Sequence, residues 1–160
     1  MKLQRLAVMT EVMRKGMSVR DFFEEAVRCN VPGLPYVDEH DHIVGRVSVR
    51  DVFKRIAVPN SYLRLADAMG DTTNRLDMSE KRILESVSRP VERYLLDSIP
   101  SVSPASSLVK ALAIMEAYNT HYIFLIEDGK YMGIVTRMVI AHRLLDWLDE
   151  VDRGESLPSN

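Results

Sequence analysis

Apolar positions along the chain fall into alternating helical and extended patterns. Val19, Phe22, Phe23, Ala26 and Val27 recur at helical spacing, which predicts a helix with these side chains on its buried side. Ser18, with Asp21 three residues on, supplies a capping signal at its start, and Asn30 and Pro32 mark its end. Leu34–Val37 then reads as a short strand, Asp38–Asp41 as a polar turn and His42–Ser48 as a second strand; another helix opens at Val49.

The same order returns later. Ile99–Val102 reads as a strand, and Ser106 or Ser107 caps a helix whose buried side carries Leu108, Ala111, Leu112 and Met115. Tyr122–Ile126 is a continuous apolar strand, as expected for one buried on both faces. Glu127–Lys130 is a hairpin turn, and Tyr131–Thr136 is the partner strand. The last helix places Met138, Ala141, Leu144, Leu145 and Leu148 on its buried side and is expected to fray after Trp147.

The two copies register with few gaps. Asn30 falls on Asn119, Gly45 on Gly133, Val47 on Val135 and Ser48 on Thr136. Neither copy alone has enough apolar surface for a sound core, so the two are expected to pack together. The predicted organisation is a first repeat over 1–56, a helical insertion over 57–90, a second repeat over 91–148 and a flexible tail over 149–160. Within the insertion, Ser61–Met69 and Ser79–Val87 read as short helices, the second capped by Asp77 with Glu80. The fold class is α/β (α+β), each repeat running strand-helix-strand-strand-helix.

Composition narrows the function. The 160 residues are 46% hydrophobic and 28% charged, an ordinary globular balance. A net charge of -2 with mixed signs gives no basic footprint for nucleic acid or an anionic membrane. No apolar stretch is long enough to span a bilayer, and Met1–Val12 lacks the features of a signal peptide. One cysteine, Cys29, cannot form an internal disulfide, which suits a reducing cytoplasm; it reads as a half-buried structural residue.

Two blocks carry a family resemblance. Leu34-Pro35-Tyr36-Val37-Asp38, followed by Gly45-Arg46-Val47-Ser48-Val49-Arg50-Asp51, resembles a CBS domain, named after cystathionine beta-synthase. Ser103-Pro104 through Leu108, with Gly133-Ile134-Val135-Thr136, resembles a second copy. The resemblance implies a tandem pair, or Bateman module, packed about a pseudo-twofold axis. It implies clefts that bind adenosine-containing ligands (AMP, ADP, ATP or S-adenosylmethionine), a homodimer, and regulation of an effector protein that the sequence does not identify. No enzyme activity is expected, since no convergent acid, base and nucleophile set can be assembled.

The motif makes chemical sense. Glycine near a strand end admits close approach to the backbone, so Gly45 is expected beside the ligand. Ser48 stands where helix N–H groups bind an anion, Asp51 can accept two hydrogen bonds from a ribose diol, and Arg50 can pair with phosphate. Val31, Leu34 and Pro35 are candidates to wall an adenine. Ser48 and Asp51 also fit a capping box that needs no ligand, and on sequence both readings stand. In the second copy Thr136 matches and is a candidate for the phosphate end, but Val139 replaces the carboxylate and Phe124 replaces the family proline with bulk that could fill the cleft. One good site is therefore expected, and the second is either empty or served by Thr136 at the phosphate end only. Arg46 occupies a position that is usually apolar. A ligand-free dimerisation or protein-interaction module is the alternative.

Other polar groups read more blandly. Asp38–His42 is a solvated turn rather than a metal site, since adjacent hairpin residues rarely converge on one ion. His121 and His142 are isolated surface or packing residues, and Ser106-Ser107 has no base at triad-like spacing.

Overall fold

The computed structural model describes residues 2–58, 64, 68 and 80–154. The expected helix Ser61–Met69, the Asp77 cap and the end of the tail lie outside the described residues.

In the first repeat, α1 spans Val19–Cys29, β1 Gly33–Val37, β2 Ile43–Ser48 and α2 Val49–Ala57. Helix α3, Glu80–Val87, packs on α1 and α2. The second repeat holds β3 (Ser101–Val102), α4 (Leu108–Ala117), β4 (Tyr122–Glu127), β5 (Lys130–Thr136) and α5 (Arg137–Asp152). Short 3-10 turns cover Leu3–Leu6 and Val91–Tyr94.

Local chemistry accounts for most of these boundaries. Ser18 and Asp21 form the expected capping box on α1, which ends at Asn30 in the left-handed region (φ 53°). Asn119 adopts the same conformation (φ 48°) after α4. Asp128 and Gly129 both have positive φ, as a two-residue hairpin turn of matching twist requires.

The two hairpins share one register. Gly33 pairs with Ser48 and Tyr36 with Gly45; correspondingly Tyr122 pairs with Thr136 and Leu125 with Gly133. β3 runs parallel to β4, and in the first repeat Met13 alone bridges β1 in the same sense. The first repeat's leading strand is therefore reduced to one residue. β3 is also shorter than the expected Ile99–Val102.

Each sheet is completed by chain from the other half. Val8 and Ile134 exchange both backbone hydrogen bonds (2.8 and 3.0 Å) on the free edge of β5. Leu96 and Arg46 do the same (3.0 and 2.9 Å) on the free edge of β2. The opening segment of each repeat thus crosses to the opposite sheet and covers an edge that would otherwise stay open. Leu3 and Leu6, both buried, then pack among Val102, Met115, Ile123 and Ile140 of the second repeat. A separate cluster joins Met13, Phe22, Leu34 and Val47 of the first repeat to Tyr122, Phe124 and Ile134 of the second. The cores are shared, as the repeat argument required.

The crossing depends on two glycines. A Cβ on Gly133 (φ 124°) would lie 2.9 Å from Ala7 Cβ and 3.1 Å from the Val8 carbonyl. A Cβ on Gly45 would lie 3.2 Å from the Leu96 carbonyl. Glu25 of α1, almost fully buried, pins the approach to this crossing by accepting the Glu11 amide at 2.7 Å. It also takes two hydrogen bonds from Arg28, and that pairing holds its carboxyl down at about 2. Cys29 is half-buried and donates to the same carboxylate at 3.3 Å. Burial pushes its thiol up, which fits a structural cysteine.

Two helix faces differ from the sequence reading. Val27 lies 78% exposed rather than in the core. On α5 the buried residue is Ile140, whereas Met138, Leu145 and Leu148 are 75%, 62% and 60% exposed, and Ala141 and Leu144 also face outward. This helix carries apolar residues on both sides, so periodicity alone picks a stripe without saying which one meets the sheet. The helix also continues past Trp147 to Asp152.

Gly133→Ala combines an unfavourable φ with overlap against a crossing backbone, and should destabilise the protein by roughly 2–3 kcal/mol. Gly16→Ala, where a Cβ meets open space, should cost less. Urea denaturation of both variants checks the order.

Candidate functional site

Two clefts run along the seam between the repeats, related by the internal symmetry. One, of about 230 Å³, is lined by Ser48, Arg50 and Asp51 of the first repeat together with Leu96, Ser98 and Tyr118–Tyr122 from the second half; Pro32 and Arg46 complete it. The other, of about 750 Å³, sets Thr136, Arg137 and Met138 against Ala26, Val27 and Asn30–Pro32. His121, read from sequence as isolated, lines both.

The structure brings Ser48, Arg50 and Asp51 to one wall because they straddle the junction of β2 with α2. Ser48 is buried and takes the N-cap position of α2, yet its side chain makes no cap hydrogen bond. The capping-box reading of Ser48 and Asp51 is thereby corrected. Ser48 instead faces the Tyr122 hydroxyl, as do Arg46 and Asp51. Arg50 is exposed at the rim, and among the described residues no donor pairs with the Asp51 carboxylate.

Tyr122 is the floor of this cleft. Burial pushes its phenol up, with Arg46 acting in the opposite direction. The ring sits where a Cβ on Gly33 would come within 2.5 Å of it. Gly33 and Tyr122 occupy equivalent positions in the two hairpins, so the smallest side chain in one copy makes room for a large one in the other. Arg46 reaches across β2, donating to the Tyr122 hydroxyl at 2.5 Å and to the Ser98 carbonyl at 2.7 Å. Sequence reasoning marked Arg46 as out of pattern and read it as a strand residue. Its charge was the signal that it serves the cleft.

Other expected site residues fall elsewhere. Gly45 meets the crossing backbone at Leu96 and does not line the cleft. Val31 faces the Thr136 cleft. Leu34 has no exposed surface, and Pro35 is buried in β1 with its carbonyl accepting from the Met13 amide. The non-polar surfaces beside Ser48 and Asp51 are Pro32, Leu96 and the ring of Tyr118, which is 45% exposed. No local pattern shows this, because Tyr118 belongs to the other repeat.

In the second cleft the Thr136 hydroxyl and the outer end of Arg137 are engaged, while Arg137 Nε is buried without a hydrogen-bond partner among the described residues. The Thr136 hydroxyl accepts the Val139 amide at 3.2 Å, a true cap, and Arg137 pairs with Glu116. Phe124 is fully buried between Tyr122 and Tyr131, edge-on to both. Its bulk fills the core rather than this cleft. The Asp38 carboxylate accepts the amides of His40 and His42, as a turn residue does.

Fold and clefts define a two-repeat α/β module with paired sites along an internal twofold. Residues 91–146 match the family model of the CBS domain. No curated protein sequence matches significantly. Among solved structures, the chain is similar to CBSX2 in complex with AMP (23% identity, 91% of this chain and 97% of that one, TM-score 0.63). It is similar to the CBS-domain pair of protein MJ0100 in complex with 5'-methylthioadenosine and S-adenosyl-L-methionine (16%, 92% and 98%, 0.62). A third is the CBS domain of a CBS-domain-containing membrane protein from Sphaerobacter thermophilus (16%, 88% and 86%, 0.62). The second half of the chain thus matches the CBS-domain model, and the whole chain has the fold of these CBS-domain pairs.

Thr136→Ala should lower stability by roughly 1 kcal/mol through loss of its cap, whereas Ser48→Ala, which removes no cap bond, should cost roughly half that or less. Thermal unfolding of the two variants side by side tests the difference.

Proposed function

We propose that this protein is a regulatory, non-catalytic sensor that binds an adenosine-containing nucleotide in the cleft formed by Ser48 and Asp51 with Tyr118–Tyr122. The observation that carries this reading is the carboxylate left free among the described residues at the start of α2, beside a Ser48 hydroxyl turned to Tyr122 instead of to its helix. The Ser48 hydroxyl caps nothing, and the Asp51 carboxylate has no donor among the described residues. A carboxylate one turn into a helix accepts a ribose diol, and the neighbouring helix N-terminus suits a phosphate. Pro32 and Tyr118 offer surfaces for the base. Adenosine ligands in the similar CBSX2 and MJ0100 structures support the same class. The Thr136 cleft, with Val139 in place of a carboxylate, is read as not binding nucleotide.

Ligand at about 100 times its dissociation constant should add roughly 2.7 kcal/mol of stability. Thermal unfolding with AMP, ADP, ATP, S-adenosylmethionine and NAD should show a shift with at least one, and Asp51→Ala should weaken that ligand tenfold or more. No shift with any of them overturns the sensor reading and favours a ligand-free interaction module.

The output is a homodimer whose arrangement responds to ligand and is read by an effector protein in the cytoplasm. The outward stripe of α5, with Met138, Ala141, Leu145 and Leu148, is the surface assigned to the second copy. Among the described residues no helix is long and apolar enough to cross a membrane. Sedimentation should give a dimer mass that Leu145→Glu reduces to a monomer. A monomeric parent protein at the same concentration contradicts the assignment.

A further inference from the structure

We infer that the Ser48–Asp51 cleft selects a phosphate-bearing ligand over uncharged or cationic adenosine derivatives, and that Arg46 is the residue that sets this preference. The inference rests on the adenosine site proposed above and names its ligand class. Arg46 is only 7% exposed, and its side chain is part of the cleft wall. Its guanidinium donates from Nε to the Ser98 carbonyl at 2.7 Å, from Nη2 to Ser98 Oγ at 3.1 Å and from Nη1 to the Tyr122 hydroxyl at 2.5 Å. It also lies over the Tyr122 ring, 5.4 Å from the centroid. Every one of these partners is neutral.

A guanidinium carries five N–H donors, so two remain after these three bonds. Among the described residues no carboxylate forms an ion pair with it. The better-exposed Arg14, Arg20, Arg28, Arg137 and Arg143 all have one. A buried cation without a counter-charge is costly, and an anion arriving in the cleft would offset that cost. Arg50 stands on the same wall, which sets two arginines against the single carboxylate of Asp51. With Asp51 holding the ribose, the surplus positive charge faces the phosphate end. The equivalent of Arg46 in the second repeat is Ile134, fully buried and uncharged, so the Thr136 cleft has no counterpart of this particular guanidinium.

A volume of about 230 Å³ agrees with this division. It is below the roughly 300–1,000 Å³ of sites that enclose a whole small ligand, so the cleft holds the ribose-phosphate end while the base lies at the mouth.

The test is isothermal titration of the full chain with AMP, adenosine, 5'-methylthioadenosine and S-adenosylmethionine. AMP should bind at least tenfold more tightly than the other three. Arg46→Met should weaken AMP far more than adenosine and so erase most of that margin. Arg46→Lys, which keeps the charge, should retain part of it and covers the case in which the methionine variant does not fold. Equal affinity of the unaltered protein for AMP and adenosine overturns the selectivity and leaves the adenosine site standing. Equal loss of both ligands in Arg46→Met overturns the role of Arg46. Failure of the unaltered protein to bind any of the four overturns the adenosine site and the selectivity together.

Discussion

The exchange of backbone between the two halves is the constraint on which the rest of the structure depends. Each hairpin has a free edge that must be paired or covered. Here the opening segment of the first repeat pairs with β5, and that of the second pairs with β2. The backbone approaches closely only where Gly133 and Gly45 leave room for a carbonyl. From that exchange follow the burial of Leu3 and Leu6 in the second repeat, the shared core and the placement of Ser98 against Arg46. The clefts exist because the two sheets are tied at these points and open beside them.

Duplication supplies the frame, and the functional chemistry lies in the places where the copies differ. Gly33 faces Tyr122, Arg46 matches Ile134, Ser48 matches Thr136 and Asp51 matches Val139. In one cleft a hydroxyl caps its helix, an arginine is ion-paired and a valine stands where the other cleft has a carboxylate. In the other, hydroxyl, carboxylate and guanidinium lack those partners among the described residues. A residue pair that is neutral for the fold can therefore be decisive for the site, because the backbone register tolerates either member.

Much of this was legible in the residues. The repeat register, the Ser18 cap, the turns at Asn30 and Asn119 and the Asp128-Gly129 hairpin are local signals, and local backbone preference settles them. The grouping of Ser48, Arg50 and Asp51 was legible for the same reason, since they lie within one strand-to-helix junction. The reading of Gly45 as a ligand neighbour missed its target. A glycine reports only that something comes close, and here that something is Leu96 of the same chain.

By itself, the sequence determined the order of elements, the twofold repetition and the wall that carries Ser48 and Asp51, because each rests on periodicity or on neighbours a few residues apart. Tertiary structure alone decided which surface faces that wall, placing Tyr118–Tyr122 there instead of Val31, Leu34 and Pro35. It also decided that the apolar stripe of α5 points outward and that Arg46 turns into the cleft. Those outcomes depend on how two sheets pack across a seam. Contacts between residues some fifty to a hundred positions apart leave no periodic trace in the chain that makes them.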